Sequence, residues 1–367
     1  MWLDDVLKML EQNQDKKTIL IGGASSAGKT YRCKRIKEHL EANGRKCLMI
    51  SLDNFYRPLS LRMTDFAIKQ YPAFEKYRAK IYKIVSDATR YSAFDEKFCD
   101  KNKKQIIREL GKTFDNKTTK NLLKAFIEFY HNVNFDIPES MDFEGIVKQI
   151  NCKNGKIVIP SYSFTTSERI TASRQVFDKN DFDYIIFEGI FALRPEIKKH
   201  IDKNKTLTIA LKADNMTMFS RRMYRDIVKA KRTRSPQQTF ESYFEQVLPC
   251  FDKYVKKCLD DADITVDAHL TQEEISKKAP SPKIVDFDYE ICDKINKNAK
   301  IFIKNKDNLP DKLVLEYYDK DKTYQDVYDF KEMLNQKDIK KVLSYFESCG
   351  FEICPKEKTV EDIYWNI

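Results

Sequence analysis

Apolar residues recur along this chain with two different periods, and the order of those periods predicts its elements. Over residues 3–13, Leu3, Val6, Leu7 and Leu10 fall on one face of a helix. Thr18-Ile19-Leu20-Ile21 reads as a short buried strand, followed by a glycine-bearing turn and a helix from Lys29 to about Glu41 that stops at Asn43-Gly44. Lys46 to Leu52 reads as a second strand, ending at Asp53. Between 57 and 133 the strand signal gives way to helical spacing. Phe74, Tyr77, Ile81, Ile84, Val85 and Ala88 share one face, Leu122, Leu123, Phe126, Ile127 and Tyr130 another, and Pro72 opens a helix there. From about 181 strands return: Tyr184-Ile185-Ile186-Phe187 running into Glu188-Gly189, then Leu207 to Leu211, then Asp263 to Val266, with a basic helix over 215–232. This alternation predicts an α/β protein with a doubly wound parallel sheet, interrupted by a helical insertion at about 57–133. Ala279-Pro280-Ser281-Pro282 reads as a linker. Residues 1–275 are therefore expected to form one domain and 283–367 a small α+β domain, with strands at 301–303 and 313–315. A helix is expected over 338–349, with Ile339, Val342, Leu343 and Phe346 on one face and Gly350 as its stop.

The chain has only 9 glycines in 367 residues, so a glycine-framed loop between a strand and a helix is informative. Gly23-Ala24-Ser25-Ser26-Ala27-Gly28-Lys29-Thr30 matches GxxxxGK[ST] in that context. A polyphosphate needs several backbone N–H groups aimed at it, and the glycines let the loop curl tightly enough to supply them. Lys29 is the expected contact to the β- and γ-phosphates, and Thr30 the expected ligand of Mg²⁺. The start of the following helix adds its positive end. The motif predicts a nucleotide donor, ATP or GTP, with Mg²⁺.

Composition narrows the class further. Hydrophobic residues make up 42% and charged residues 33%, which suffices for a sizeable core and excludes a wholly disordered chain. The net charge of +10 suits an anionic ligand. Residues 57–133 hold 17 Lys and Arg against 9 Asp and Glu, an excess of 8, so the insertion carries most of it. That charge keeps nucleic acid open as a partner. No run reaches the roughly 18 uncharged apolar residues of a membrane span, and the N-terminus carries acids rather than the basic region of a signal peptide. The nine cysteines form no CxxC pair and the four histidines no HExxH site, so a reducing cytoplasm is the expected location and a zinc site is not expected.

Five further segments resemble, in order, the uridine kinase branch of the P-loop kinases, which also includes phosphoribulokinase. Asp53-Asn54-Phe55-Tyr56 resembles its Asp-x-Phe-Tyr, and Asn134-Phe135-Asp136-Ile137-Pro138-Glu139 its Asn-Phe-Asp-His-Pro-Asp. Pro160-Ser161-Tyr162-Ser163-Phe164 with Arg169 resembles its Pro-x-Tyr-Asp-Phe and later Arg. Phe187-Glu188-Gly189-Ile190 resembles Phe-Glu-Gly-Ile, and Arg221-Arg222-Met223-Tyr224-Arg225-Asp226 the Arg-rich lid helix. The resemblance covers about residues 15–270, apart from most of the insertion.

It implies transfer of the γ-phosphate to the 5′-hydroxyl of uridine or cytidine. Asp53 is then the expected base and, with Glu188 and Thr30, a metal residue; Lys29 and Arg225 act on the phosphates; Arg222, Arg232 and Arg234 belong to the lid. The acceptor is expected among Tyr56, Phe135, Tyr162, Ser167 and Asp136, whose two carboxylate oxygens suit vicinal hydroxyls. The chain departs from the pattern where it would read a pyrimidine: Ser167 stands in place of a His, Ser163 of an Asp and Ser242 of a Gln, and Thr233 replaces a lid Gly. Two classes of function therefore stand. One is a small-molecule kinase, acting on a nucleoside or on another alcohol as phosphoribulokinase and pantothenate kinase do. The other is a nucleotide-dependent switch whose insertion meets RNA, a membrane or a protein. Self-association is compatible with both.

Overall fold

The computed structural model describes residues 2–152, 155–213, 215–223, 225–226, 239, 242–268, 289–293, 300–306, 309–319, 322–329, 343–344, 346–347 and 351–355. Its contacts divide the chain into two compact units, Met1–Met9, Ile21–Arg32 and Thr208–Ile367 in one, Leu10–Leu20 and Cys33–Leu207 in the other.

The elements follow the predicted rhythm closely. Helix α1 (Trp2–Gln12) precedes β1 (Thr18–Gly23), and α2 (Lys29–Ala42) leads to β2 (Cys47–Ser51). Beyond the insertion come β5 (Tyr184–Gly189), the short helix α8 (Pro195–Lys198), β6 (Thr206–Lys212) and β7 (Ile264–Asp267). These strands form one sheet in the order β2-β5-β1-β6-β7. Strand β2 runs parallel to β5 with Ser51 opposite Glu188, and β6 runs parallel to β7 with Lys212 opposite Asp267. The apolar runs that lacked alternation are buried on both sides, as strands of a covered parallel sheet must be: Ile19, Leu20 and Ile21 have no exposed surface. The order and the crossovers are those of an α/β P-loop fold.

The insertion is a folded helical body. Helices α3 (Leu59–Gln70), α4 (Arg78–Thr89), α5 (Asp100–Gly111) and α6 (Asn116–His131) close around Leu59, Met63, Ile81, Val85, Ile106, Leu110, Leu122 and Phe126. The faces predicted from spacing are the ones buried, and Pro72 opens a short 3-10 turn ahead of α4. Two elements were not legible in the pattern. Helix α7 (Phe143–Ile150) follows the Asn134-Phe135-Asp136 segment, and an antiparallel hairpin of β3 (Lys156–Ser163) and β4 (Glu168–Asp178) carries Tyr162 at its tip, opposite Arg169.

The C-terminal part contains both predicted strands within a larger antiparallel sheet. Strands β8 (Tyr289–Asp293), β9 (Lys300–Lys306), β10 (Leu309–Asp319), β11 (Lys322–Asp329) and β12 (Phe351–Pro355) lie in the order β11-β10-β9-β8-β12. Of the helix expected over 338–349, residues 343–344 and 346–347 are described and helical. The basic helix is described as α9 (Asn215–Met223); its continuation, with Arg232, Thr233 and Arg234, and the linker 279–282 lie outside the described residues. In the same unit, Phe244 packs against Phe219, Phe346 and Phe351 at centroid distances of 5.1, 5.7 and 5.6 Å.

A buried ion pair joins the insertion to the hairpin. Lys97 is wholly buried, and its Nζ donates to Glu168 Oε1 at 3.1 Å and to the Thr89 carbonyl at 2.9 Å. Glu168, 4% exposed, also accepts from the Ser60 backbone N–H and hydroxyl, so both its oxygens are engaged. Burial pulls the Lys97 ammonium below the usual lysine range, and Glu168 draws it back up. Backbone bonds from Leu59 to the Ser167 carbonyl and from Phe94 to the Thr165 carbonyl run alongside. Removing one partner strands a charge in a buried site, so Lys97→Ala is expected to destabilise the protein by about 3 kcal/mol in urea titration. A loss below about 1 kcal/mol would mean that the insertion is held by its apolar core instead.

Candidate functional site

The residues picked out in the sequence fall in both units, and each set has its own geometry. In the first unit the loop expected to hold phosphates, Gly23 to Thr30, runs from the end of β1 into α2. Ser26 and Gly28 take left-handed φ angles of 64° and 85°, the kind of backbone that turns successive N–H groups toward one point. Gly23 is required for a different reason: a Cβ there would stand 2.8 Å from the Leu211 carbonyl oxygen of β6. Lys29, 9% exposed, donates its ammonium to the Gly23 and Ala24 carbonyls at 3.1 and 2.8 Å. Thr30 sits on the exposed first turn of α2.

The same unit brings the start of the arginine-rich segment to the loop. Arg222 Nη1 donates to Ser25 Oγ at 3.3 Å. Asp226 has no exposed surface; it accepts from Arg225 Nε at 2.7 Å and lies 3.6 Å from Arg222 Nε. One buried carboxylate thus sets the reach of both arginines. Ser242 leads into a π-helical turn whose Tyr243 is buried beside Phe219 and donates its hydroxyl to the Asn215 carbonyl at 3.0 Å. Tyr243 therefore anchors α9.

In the second unit Asp53 lies on a 3-10 turn, Leu52–Phe55, directly after β2. Ser51 caps that turn, its Oγ accepting from the Asp53 N–H at 3.4 Å. Arg169 holds the turn from outside: its guanidinium donates to the Tyr56 and Phe55 carbonyls at 3.1 and 3.3 Å and pairs with Asp142 at 2.8 Å. Glu188, 4% exposed, ends β5 beside Ser51. Gly189 next to it lets the turn approach, because a Cβ there would meet Leu52 Cβ at 2.7 Å.

Around this turn the structure gathers the aromatic residues of the sequence motifs. Tyr56 lies 5.5 Å from Tyr162, 6.3 Å from Phe135 and 6.2 Å from Phe164. The Tyr56 phenol is held well above the usual tyrosine value, first by burial and then by the carboxylates of Asp53 and Asp136. Asp53 and Asp136 therefore both act on one hydroxyl. Asp136 is set by a short turn in which its N–H donates to Asn134 Oδ1 at 2.8 Å. Ser167 is 5% exposed, with a left-handed φ of 53°, at the tip of the hairpin.

Sequence reasoning missed Arg62, which packs over the Phe129 and Phe135 rings at 5.4 Å each and donates to the Asn134 carbonyl at 2.7 Å. Its signal was present. Leu59, Arg62, Met63 and Phe66 follow the spacing of one helical face, so a charge interrupts an apolar stripe. Lys97 and Glu168 had no such signal.

The residues expected to meet Mg²⁺, Thr30, Asp53 and Glu188, offer hard oxygens of the kind that cation prefers. No group of three or more His, Cys, Asp or Glu stands together among the described residues. No described helix is long and apolar enough to cross a membrane.

A model of the phosphoribulokinase / uridine kinase family matches residues 87–275, just over half of the chain. Uridine kinase-like protein 5 of Arabidopsis thaliana is 32% identical over 148 residues, 40% of this chain and 30% of that protein. The uridine kinase of Ureaplasma urealyticum is 26% identical over 136 residues, 36% of this chain and 62% of that protein. The chain spans less than two thirds of the length of either relative. A solved structure described as a possible uridine kinase from Bacillus stearothermophilus aligns over 72% of this chain and 97% of its own, at 14% identity and a TM-score of 0.39.

The close approach of Gly189 and Leu52 yields a test of how the Asp53 turn is seated. Gly189→Ala should destabilise by about 1–3 kcal/mol through overpacking. Leu52→Gly, which removes the contacting Cβ as well as the rest of the side chain, should cost about 2–5 kcal/mol for the cavity and about 1 kcal/mol more for the glycine backbone. The double variant should lose less than the sum, because the new methyl enters the space that Leu52 leaves. Strictly additive losses in urea titrations would show that the two residues do not set each other's position.

Proposed function

Because the chain belongs to the phosphoribulokinase / uridine kinase family, we propose that it transfers the γ-phosphate of ATP or GTP to a hydroxyl of a small alcohol. The observation that carries this reading is the loop itself: GxxxxGK[ST] after β1, with left-handed Ser26 and Gly28 and a buried Lys29. A loop of this shape supplies N–H donors to the β- and γ-phosphates, and the Lys29 ammonium would exchange the Gly23 and Ala24 carbonyls for phosphate oxygens. Arg225 and Arg222, oriented by Asp226, would neutralise charge that develops on the transferred group.

On the acceptor side, Asp53 is the base. The hydroxyl oxygen forms the new bond to the γ-phosphorus as the bond to the β–γ bridging oxygen breaks. The nucleoside diphosphate leaves, and the hydroxyl proton passes to the Asp53 carboxylate. Thr30, Asp53 and Glu188 would hold Mg²⁺ or its waters, and the cation would offset the phosphate charge. Asp136 would accept from vicinal hydroxyls of the acceptor, between the rings of Tyr56, Phe135 and Tyr162. The similarity to uridine kinases makes uridine and cytidine the first acceptors to try, and pyrimidine salvage in the cytoplasm the setting such an activity would have.

Two variants test this reading by nucleoside diphosphate release with a panel of alcohols. Lys29→Ala should lower kcat about 10²–10³-fold without a loss of fold stability, since it removes a contact made to the transferring group. Asp53→Asn should keep nucleotide binding and lose turnover about 10²–10⁴-fold, because the amide takes no proton. Near-normal phosphorylation by the Lys29 variant would overturn the assignment. Nucleotide hydrolysis that answers to RNA or lipid, and to no alcohol, would favour the switch.

A further inference from the structure

A guanidinium buried among aromatic rings is costly unless its donors are satisfied. Arg62 is 5% exposed, and its Nη2 is satisfied by the Asn134 carbonyl at 2.7 Å. Its Nη1 is buried as well and has no hydrogen-bond partner among the described residues. The Tyr162 hydroxyl is buried too, and its polar neighbour is the short Ser167 side chain. Arg62 and Tyr162 are electrostatic neighbours: burial first, and the adjacent Arg57 as well, oppose the charge on Arg62 and bring its pKa down to about 10, with Tyr162 and Tyr56 close by. The acidic side chain acting on Arg62 is Glu139, which is exposed and has the weakest influence of the named neighbours. Arg62 thus stands over Phe135, beside Tyr56 and Tyr162, where the sequence motifs put the acceptor. At the nearby hairpin tip the short side chain of Ser167 takes the place of the histidine expected to read a pyrimidine edge.

We propose that the acceptor carries an anionic group, a carboxylate or a phosphate, which pairs with Arg62 Nη1 and accepts from the Tyr162 hydroxyl. The inference rests on the kinase reading and names its substrate class. The phosphorylated hydroxyl and the anion would lie at opposite ends of one acceptor, the first at Asp53 and the second at Arg62. A neutral nucleoside brings no charge to the buried guanidinium, whereas a hydroxy acid or a sugar phosphate does, through a charge-assisted and geometrically matched contact.

The test uses the full chain with MgATP and acceptor pairs that differ by one anionic group: uridine and orotidine, glycerol and D-glycerate, glycerol and glycerol 3-phosphate, ribose and ribose 5-phosphate. The anionic member of at least one pair should have the higher kcat/KM, by about 30-fold or more, and the glycerate and glycerol phosphate arms tell carboxylate from phosphate. Arg62→Met should reduce that preference by about 30-fold, and Arg62→Lys should retain part of it. A changed ratio cannot arise from poor folding, which lowers both members alike. Equal use of neutral and anionic members by the wild type, or a preference that survives in Arg62→Met, would overturn the proposal and leave the kinase reading intact. If the wild type phosphorylates no alcohol, the kinase reading falls. The anion site is then judged by calorimetric titration of inorganic phosphate and of glycerate at saturating Mg²⁺ and a non-hydrolysable ATP analogue. Binding that disappears in Arg62→Met upholds it, and no binding by the wild type removes it.

Discussion

The Lys97–Glu168 pair is the constraint on which the proposed acceptor region depends. Two opposite charges with almost no solvent contact must keep each other and their hydrogen-bond partners, or one of them is stranded. Here the partners are drawn from three separated stretches: Lys97 and Thr89 of the insertion, Ser60 at the start of α3, and Glu168 on the hairpin. Their geometry fixes the start of α3 against the hairpin tip. That places Arg62 two residues further along α3, and it places Ser167 and Arg169 on either side of Glu168. Arg169 in turn holds the backbone of the Asp53 turn through the Tyr56 and Phe55 carbonyls. The insertion is therefore a wall of the proposed acceptor region, built by ordinary packing on one side and by one ionic contact on the other.

The aromatic residues beside that contact explain why charge matters so much there. Tyr56 is enclosed by Tyr162, Phe135 and Phe164, and water is scarce around its hydroxyl. In such a medium each neighbouring charge acts more strongly than it would in water. Asp53 and Asp136 press the phenol toward its neutral form, whereas Arg62 pulls the other way. Carboxylates on one side of a tyrosine and guanidinium on the other make a region with two polarities, suited to an acceptor that is itself polarised from end to end.

Much of this was legible in the residues and some was not, for physical reasons. The parallel strands were readable because strands covered on both faces are apolar throughout, as in Thr18 to Ile21 and Leu207 to Leu211. The insertion was readable because its helices carry clear stripes, and the phosphate loop because its glycines meet steric demands that other residues cannot. The hairpin escaped notice because β4 buries little: Ile170 and Val176 are about half exposed, and the pattern that marks a half-buried strand is weak there. Lys97 and Glu168 are 71 positions apart, and nothing in a sequence links two charges that only the folded chain brings together. Arg62 did leave a mark, a charge in the middle of an apolar stripe, but its meaning depends on the rings of Phe129 and Phe135 above it.

The aromatic cluster of Phe219, Phe244, Phe346 and Phe351 bears on how the chain tolerates shortening. Phe219 lies on α9, the helix that bears Arg222, and Phe351 opens the last strand of the C-terminal sheet, with Phe244 between them. Phe346 and Phe351 are wholly or almost wholly buried. A polypeptide ending after β7 would uncover the rings of Phe244 and its neighbours at the foot of α9, and an apolar patch of that kind drives proteins out of solution. The C-terminal sheet is in this sense a solubilising cap for the arginine helix, and the boundary that is simplest to draw on paper, just past β7, is a poor place to cut the gene.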